Sequence, residues 1–413
     1  MDKIGGNKMR KALIITVGVG VGEDREKATD SLAHGIVFSI RNSNPTTICF
    51  VVTKESMEKT FPLIKNYMKE LPEHDFILLD EKDKEDVERV YKKIREKIGT
   101  YQNEDYEVVI DFTSGTKAMS AGAVLAGTEK NCNIRYIIGE RERGIVIKGT
   151  EKSFEISPIY FFINRQEELI KQLFNLYQFT SCGEIILGIK QKISKKEIVE
   201  KMEKYQKLAN AYSMWDKFNH QKALEILQEV GREFDTGENK RFLNLLNKAE
   251  RKEEFLIADL LNNAWRRMEE GRYDDAVARL YRCIEMVAQY RLKKEHGIDS
   301  SKIIFLDLRS KLPEDNKLIE KWRSKANGEG VIKLALQQDY ELLKDLGDEL
   351  GSVKENKELN NLLKKRNESI LAHGVTPISR EDTEKLYEKA VEIASKVVEK
   401  LDELRKMAEF PKL

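Results

Sequence analysis

At 413 residues, 40% hydrophobic and 35% charged, the chain exceeds one ordinary core and predicts two or three domains with heavily solvated helices. Basic and acidic residues balance at 72 and 71, which excludes the global positive field of a general nucleic-acid binder and leaves only local capture of an RNA. No apolar run approaches the roughly 20 residues of a membrane span, and the scattered Cys49, Cys132, Cys182 and Cys283 predict a reduced cytoplasmic protein with neither disulfides nor a metal cluster.

The N-terminal stretch "MDKIGGNKMRKALIITVGVG" begins charged, but its apolar run leads into glycines and then "EDREK", the pattern of a buried first strand rather than a secretory signal. Five compact runs follow one another: "KALIITVG" (11–18), "TICFVVT" (47–53), "DFILLD" (75–80), "EVVIDFT" (107–113) and "IRYIIG" (134–139). They are short, rich in Val, Ile and Phe, and apolar on both faces, as strands of a parallel sheet covered by helices must be. Helical stretches such as "KEDVERVYKKIREKI" and "TKAMSAGAVLAGTEK" alternate with them. The expected fold of residues 1–158 is therefore a doubly wound, Rossmann-like α/β domain, closed by a hairpin over "RERGIVIKGTEKSFEIS". The charged run "ERER" is expected to stay in water on that hairpin, and His34 to pack on the first helix.

From about residue 159 the periodicity is helical, with no strand expected afterwards. Two units, "YQKLANAYSMWDKFNHQKALEILQEV" and "AWRRMEEGRYDDAVARLYRCIEMVAQYRL", have the texture of tetratricopeptide repeats, but they lie about 50 residues apart instead of 34. We expect a helical middle region at 159–250 and a second, all-α domain at 251–413. Within the latter, residues 297–357 are rich in Gly, Lys and Asp and read as an irregular insertion.

Two constellations carry chemistry. In "VVIDFTSGTKAMSAGAVLAG" (108–127) a buried strand ends at Thr113, a tight Ser114-Gly115 turn follows, and a small-residue helix begins near Thr116. Unpaired amides at such a helix start point outward at the carboxyl edge of the sheet, Lys117 adds a charge, and Gly122 and Ala123 allow close packing on the sheet. An anionic ligand fits this chemistry. The first strand ends comparably, with Gly18, Gly20 and Gly22, although ordinary strand-to-helix turns explain those glycines equally well. Neither loop is GxGxxG or GxxxxGK[ST], so no dinucleotide or nucleoside-triphosphate cofactor is indicated.

A strand ending in Asp-Phe-Thr-Ser-Gly-Thr-Lys-Ala-Met resembles the ligand signature of CARF domains, the Rossmann-like sensors of CRISPR-associated effectors. The resemblance implies a homodimer holding a cyclic oligoadenylate across its two-fold axis. Thr113, Ser114, Gly115, Thr116 and Lys117 would contact the ring, with Gly18 and Gly20 beside it.

The second constellation is "KKRNESILAHGVTP" (364–377). In a continuous helix, seven residues return to nearly the same face, which would set Arg366 and His373 about 10 Å apart along the axis. Gly374 and Pro377 predict that the helix stops at His373. Taken alone, the stretch reads first as a capped helix end with a surface arginine. An arginine fork suited to phosphate beside a titrating imidazole also makes a minimal metal-free RNA-cleaving site, with Asn367 orienting the phosphate or the ring. "RNESILAHG" resembles the arginine–histidine motif of HEPN ribonucleases, and "YDDAVARLYRCIEMVAQYRL" is similar to the core helix preceding it.

A CARF-like sensor followed by a HEPN-like domain resembles the ancillary ribonucleases of type III CRISPR systems. That resemblance implies single-stranded RNA as substrate, 2′,3′-cyclic phosphate products and a site composed of two copies of Arg366 and His373. Two rival functions are a ring nuclease acting on the cyclic ligand at the N-terminal site and a non-catalytic helical adaptor.

Overall fold

A computed structural model of the chain describes residues 10–413 except 144. It divides into two compact units, 1–167 and 168–413.

In the first unit β1 (Arg10–Val17), β2 (Thr47–Thr53), β3 (Glu73–Leu79), β4 (Tyr106–Asp111) and β5 (Asn133–Ile138) form the expected parallel strands. The expected terminal hairpin is two features: a small ribbon of β6 (Arg141–Glu142) and β7 (Ile145–Val146), and β8 (Lys152–Ile156), which returns antiparallel to β5. Sheet order is β3-β2-β1-β4-β5-β8. The chain winds outward from β1 to β3, then returns to β4 on the other side of β1. The loops after β1 and β4 therefore lie side by side at a topological switch point on the carboxyl edge and lead into helices on opposite faces of the sheet.

Helices cover both faces. Alternation along each strand sends Leu13, Ile15, Ile48 and Phe50 to one side, against Ile36, Val37 and Ile40 of α1 (Arg25–Ser43), with the short α2 (Lys54–Lys59) leading into α3 (Phe61–Tyr67). Ala12, Ile14, Cys49, Val51 and Ile110 face α4 (Val87–Asn103) and α5 (Lys117–Glu129). Gly122 differs from expectation: a Cβ there would meet Val90 Cγ1 at 2.7 Å, so it brings α5 against α4, and it is Gly127 that lies on the sheet, beside Ile110 and Ile134.

A long helix, α6 (Ile159–Asn175), spans the division between the units. The second unit continues with α7 (Phe179–Lys192), α8 (Lys196–Asp216), α9 (His220–Glu229), α10 (Gly237–Lys248), α11 (Lys252–Glu269) and α12 (Tyr273–His296). Aromatic rings of Tyr212, Trp215, Phe242 and Phe410 pack together where its helices converge, Trp215 stacked on Phe242 and meeting Phe410 edge-on. Two short strands, β9 (Ile303–Ile304) and β10 (Val331–Ile332), pair antiparallel in a region where no strand was expected. They form because the chain folds back around α13 (Phe305–Arg309) and α14 (Asn316–Ser324), and Trp322 is fully buried there. The rest of 297–357 is built: α15 (Leu336–Asp345) packs on α12, with Tyr340 donating to the Ile284 carbonyl at 2.8 Å. α16 (Lys357–Asn367), α17 (Arg380–Ser395) and α18 (Leu401–Met407) complete the unit. All four cysteines are buried and unpaired. Among the described residues no helix is long and apolar enough to cross a membrane.

Candidate functional sites

At the carboxyl edge of the sheet the two sequence-predicted loops meet backbone to backbone. A Cβ on Gly18 would stand 2.6 Å from the Gly115 nitrogen and 2.8 Å from its Cα, so only glycine allows this approach. Gly115 itself has φ +104°, and Gly20 runs so close to α1 that a Cβ would collide with Thr29 and Ala28. Ser114 is buried: its hydroxyl accepts from Gly18 N at 3.2 Å and donates to the Thr16 carbonyl at 2.5 Å. Thr116 caps α5, accepting from Met119 N at 3.1 Å and donating to the Lys84 carbonyl at 2.5 Å. These two hydroxyls, expected to face a ligand, are engaged inside the protein.

Thr113 is exposed, yet its Oγ1 accepts from Ile137 N at 2.8 Å and donates to Asp111 Oδ1. Asp111 is fully buried on β4; burial pushes its carboxyl up, while hydrogen bonds from Ser39 and Thr113 oppose that rise. What is exposed at the start of α5 is Lys117, while of the first-turn amides that of Met119 is taken by the Thr116 cap.

A cavity of about 170 Å³ adjoins these loops, lined by Gly20, Thr113, Ser114 and Ile137 and, from elsewhere, by Arg141 and Glu151. Arg141 belongs to the charged run expected to be merely solvated. It is exposed, as expected, and borders the cavity because Ser31 donates to the Val146 carbonyl at 2.7 Å and Lys148 pairs with Asp30, docking the ribbon on α1. His34 also joins this contact, with Nδ1 2.6 Å from Glu151 Oε1. Burial works against the Glu151 charge, but hydrogen bonds from backbone amides and His34 outweigh it and hold the carboxyl below its usual range. The sequence signal available was the turn residue Gly149 between Lys148 and Glu151.

At the second constellation the geometry departs from the one-helix picture. α16 ends at Asn367, six residues short of His373. The chain then makes tight turns: Ser369 is buried, its carbonyl accepting from Ala372 N and Gly374 N, and His373 N donates to the Asn367 carbonyl at 3.1 Å. Gly374 is not a helix stop. A Cβ there would lie 2.0 Å from the Glu368 carbonyl oxygen, so it lets the returning chain cross the helix end. His373 is thus presented on a loop, exposed, among the exposed apolar side chains of Ile370, Leu371 and Val375.

Arg366, in the last turn of α16, is half-buried. Its guanidinium carbon stands 4.3 Å over the ring of Tyr281 on α12, and Nη1 donates to Asn367 Oδ1 at 3.1 Å. Its Nε is buried with no hydrogen-bond partner. Burial, then Glu285, push the Tyr281 phenol up, while Arg366 pulls the other way. Tyr281 is the residue that sequence reasoning missed. Its only signal was membership of the core helix, since contact with Arg366 comes from packing α16 against α12. Lys364, two residues earlier, is exposed, so the helix end presents a cluster of cations.

Residues 245–396, which include Arg366, Asn367 and His373, match a family model described as the Csm6 HEPN domain, and residues 162–257 match one described as the Csm6 6H domain. The stretches overlap and together run over more than half of the chain. Among solved structures, Enterococcus italicus Csm6 bound to cyclic hexa-2′-fluoro-hexa-dAMP aligns over 97% of this chain and 98% of its own, at 13% identity and a TM-score of 0.61, a likeness of fold. Can2 from Sulfobacillus thermosulfidooxidans in complex with cyclic tetra-adenylate aligns over 51% of this chain and 66% of its own, at 10% identity and a TM-score of 0.25, too remote to bear on the site. No curated protein matches the chain.

Proposed function

This chain belongs to the Csm6 family of CARF–HEPN effectors, and on that premise we propose that it is a cytoplasmic endoribonuclease of type III CRISPR antiviral defence, activated by a cyclic oligoadenylate. The sensor comprises residues 1–158, the helical middle region 159–250 and the ribonuclease 251–413. The presence of Arg366 and His373 in a stretch matching a HEPN domain, with Arg366 held over Tyr281, is the observation that carries this reading.

The ring's phosphates meet the start of α5, where Gly115 and the first-turn amides approach closely and Lys117 supplies charge. Gly18 and Gly20 make that approach possible, and Thr113, Ser114 and Thr116 hold the loops in shape. Cyclic hexa-adenylate-type ligands are suggested as activators by the bound ligand of the E. italicus protein. To act as a switch, the ligand binds two arrangements of the protein with different affinity, and that difference is the coupling energy available to the distant site.

Catalysis uses the RNA's own nucleophile. The 2′-hydroxyl gives its proton to water as its oxygen attacks the adjacent phosphorus, the bond to the 5′ oxygen breaks, and a 2′,3′-cyclic phosphate and a 5′-hydroxyl result. Arg366 stabilises charge on the non-bridging oxygens, a role for which a guanidinium pre-oriented by Tyr281 and Asn367 suits, and His373 delivers a proton to the leaving 5′ oxygen. Because the nucleophile is internal, the chemistry requires no metal. Homodimerisation covers Ile370, Leu371 and Val375 and brings two copies of the motif together.

The test is cleavage of a fluorescent single-stranded RNA in EDTA, with and without cyclic tri-, tetra- and hexa-adenylate. Cleavage that needs one ring size and disappears in His373→Ala is expected. Equal cleavage by His373→Ala, or none with any ring, overturns the proposal.

A further inference from the structure

The helical unit carries a second feature that the ribonuclease motif does not use, a cleft of about 460 Å³ between α11, α17, α18 and the segment that follows. Trp265 stands on its rim, 46% exposed, whereas the chain's other two tryptophans, Trp215 and Trp322, are fully buried. An indole left in water beside polar groups is unusual for a helix whose neighbours are packed. The Tyr387 ring lies 5.4 Å away, tilted by 50°.

Cations surround this aromatic wall. Arg405 donates to the Tyr387 hydroxyl, and its Nε is buried without a hydrogen-bond partner. Arg266, only 3% exposed, stacks 3.8 Å over Phe410; its Nη2 has no hydrogen-bond partner and is 3.8 Å from Asp259 Oδ1. Lys406 is exposed and makes no ion pair among the described residues. Acids are present as well: Glu269 accepts from the Tyr177 hydroxyl at 3.0 Å, Asp402 lies 3.5 Å from Arg405, and Glu409 completes the lining. With charge partly balanced, recognition here rests on stacking more than on field.

The cleft lies close to the motif along one helix. Lys365, next to Arg366, pairs with Asp382 at 2.7 Å in the first turn of α17. Tyr387 is five residues further on, about 7.5 Å along the axis.

We propose that this cleft is a base-binding subsite for single-stranded RNA: a nucleobase stacks on Trp265, and Arg405 and Lys406 take the adjoining phosphate. The assignment rests on the ribonuclease reading above. Stacking on an aromatic face tolerates any base, so the subsite adds affinity and strand register without a sequence code.

The experiment uses the full chain carrying His373→Ala and a 2′-O-methylated single-stranded RNA, which lacks the attacking hydroxyl, read by tryptophan fluorescence and by anisotropy of a labelled copy with activator present. RNA quenches emission, and the quench belongs to Trp265 because the other indoles are buried. In Trp265→Leu the quench disappears and affinity falls about tenfold or more, the loss of one base stack, while Trp265→Phe keeps most of the affinity. No quench, or unchanged affinity in Trp265→Leu with circular dichroism intact, overturns the subsite. The two readings fail separately: quenching without any cleavage by the wild type leaves the subsite standing and removes the nuclease, whereas cleavage with an unaltered KM in Trp265→Leu does the reverse.

Discussion

Replacing Asp339 by asparagine should change how stability depends on pH. Asp339 sits on α15 where that helix packs on α12; it is 0% exposed, and neither carboxylate oxygen has a hydrogen-bond partner among the described residues. Burial is the main influence and Glu285 adds to it. Ser300 and Gln289 approach without reaching hydrogen-bond geometry, Arg282 offers a weak counterweight, and the carboxyl is pushed up to about 7. In the unfolded chain it titrates near 3.8. Between these values the folded state binds the extra proton, so this group's contribution is most favourable at low pH and is lost as pH rises toward 7. About three pH units at 1.36 kcal/mol each set a ceiling of about 4 kcal/mol, of which about 2–3 kcal/mol falls between pH 5 and pH 8. Urea unfolding of wild type and Asp339→Asn at both pH values isolates the term, because every other titration is common to the pair. The advantage of Asp339→Asn should grow by that amount on going to pH 8. A difference that stays constant with pH would refute the argument from an unpaired buried carboxyl.

Tyr281→Leu removes the ring beneath Arg366 and should lower kcat for RNA cleavage several-fold to about thirtyfold, the range of a partly desolvated cation–π contact. Tyr281→Phe should remain near wild type, and calorimetric affinity for the activator should not change in either. Gly18→Ala places a Cβ 2.6 Å from the Gly115 backbone; forcing the two loops apart by overpacking of about 1–3 kcal/mol should weaken activator binding about tenfold or more, with the far-ultraviolet circular dichroism preserved.

The α/β half was legible because its information is local. Runs such as "TICFVVT", buried at every position, can only be interior strands, and their alternation with helices leaves few topologies. The proximity of the two glycine-bearing loops also followed, since both end parallel strands at one edge. The roles of their side chains did not follow: Ser114 and Thr116 look like ligand groups in sequence, yet their hydroxyls meet backbone atoms supplied by residues 16 to 18 and 84, far along the chain. Arg141 is exposed, as its charged run predicted, but that it borders the cavity follows only from the contact between the ribbon and α1.

In the helical half, sequence determined that Arg366, Asn367 and His373 lie close together and near a helix end. Tertiary structure decided how they are presented. A histidine seven residues after an arginine belongs to the same helix face only if the helix continues, and here burial of Ser369 and the crossing at Gly374 turn the chain after Asn367. Periodicity reports which residues can share a face, but not where packing ends the helix. Arg366 over Tyr281 and the exposed Trp265 beside Arg405 are products of helices meeting across long stretches of chain, and no local pattern encodes them.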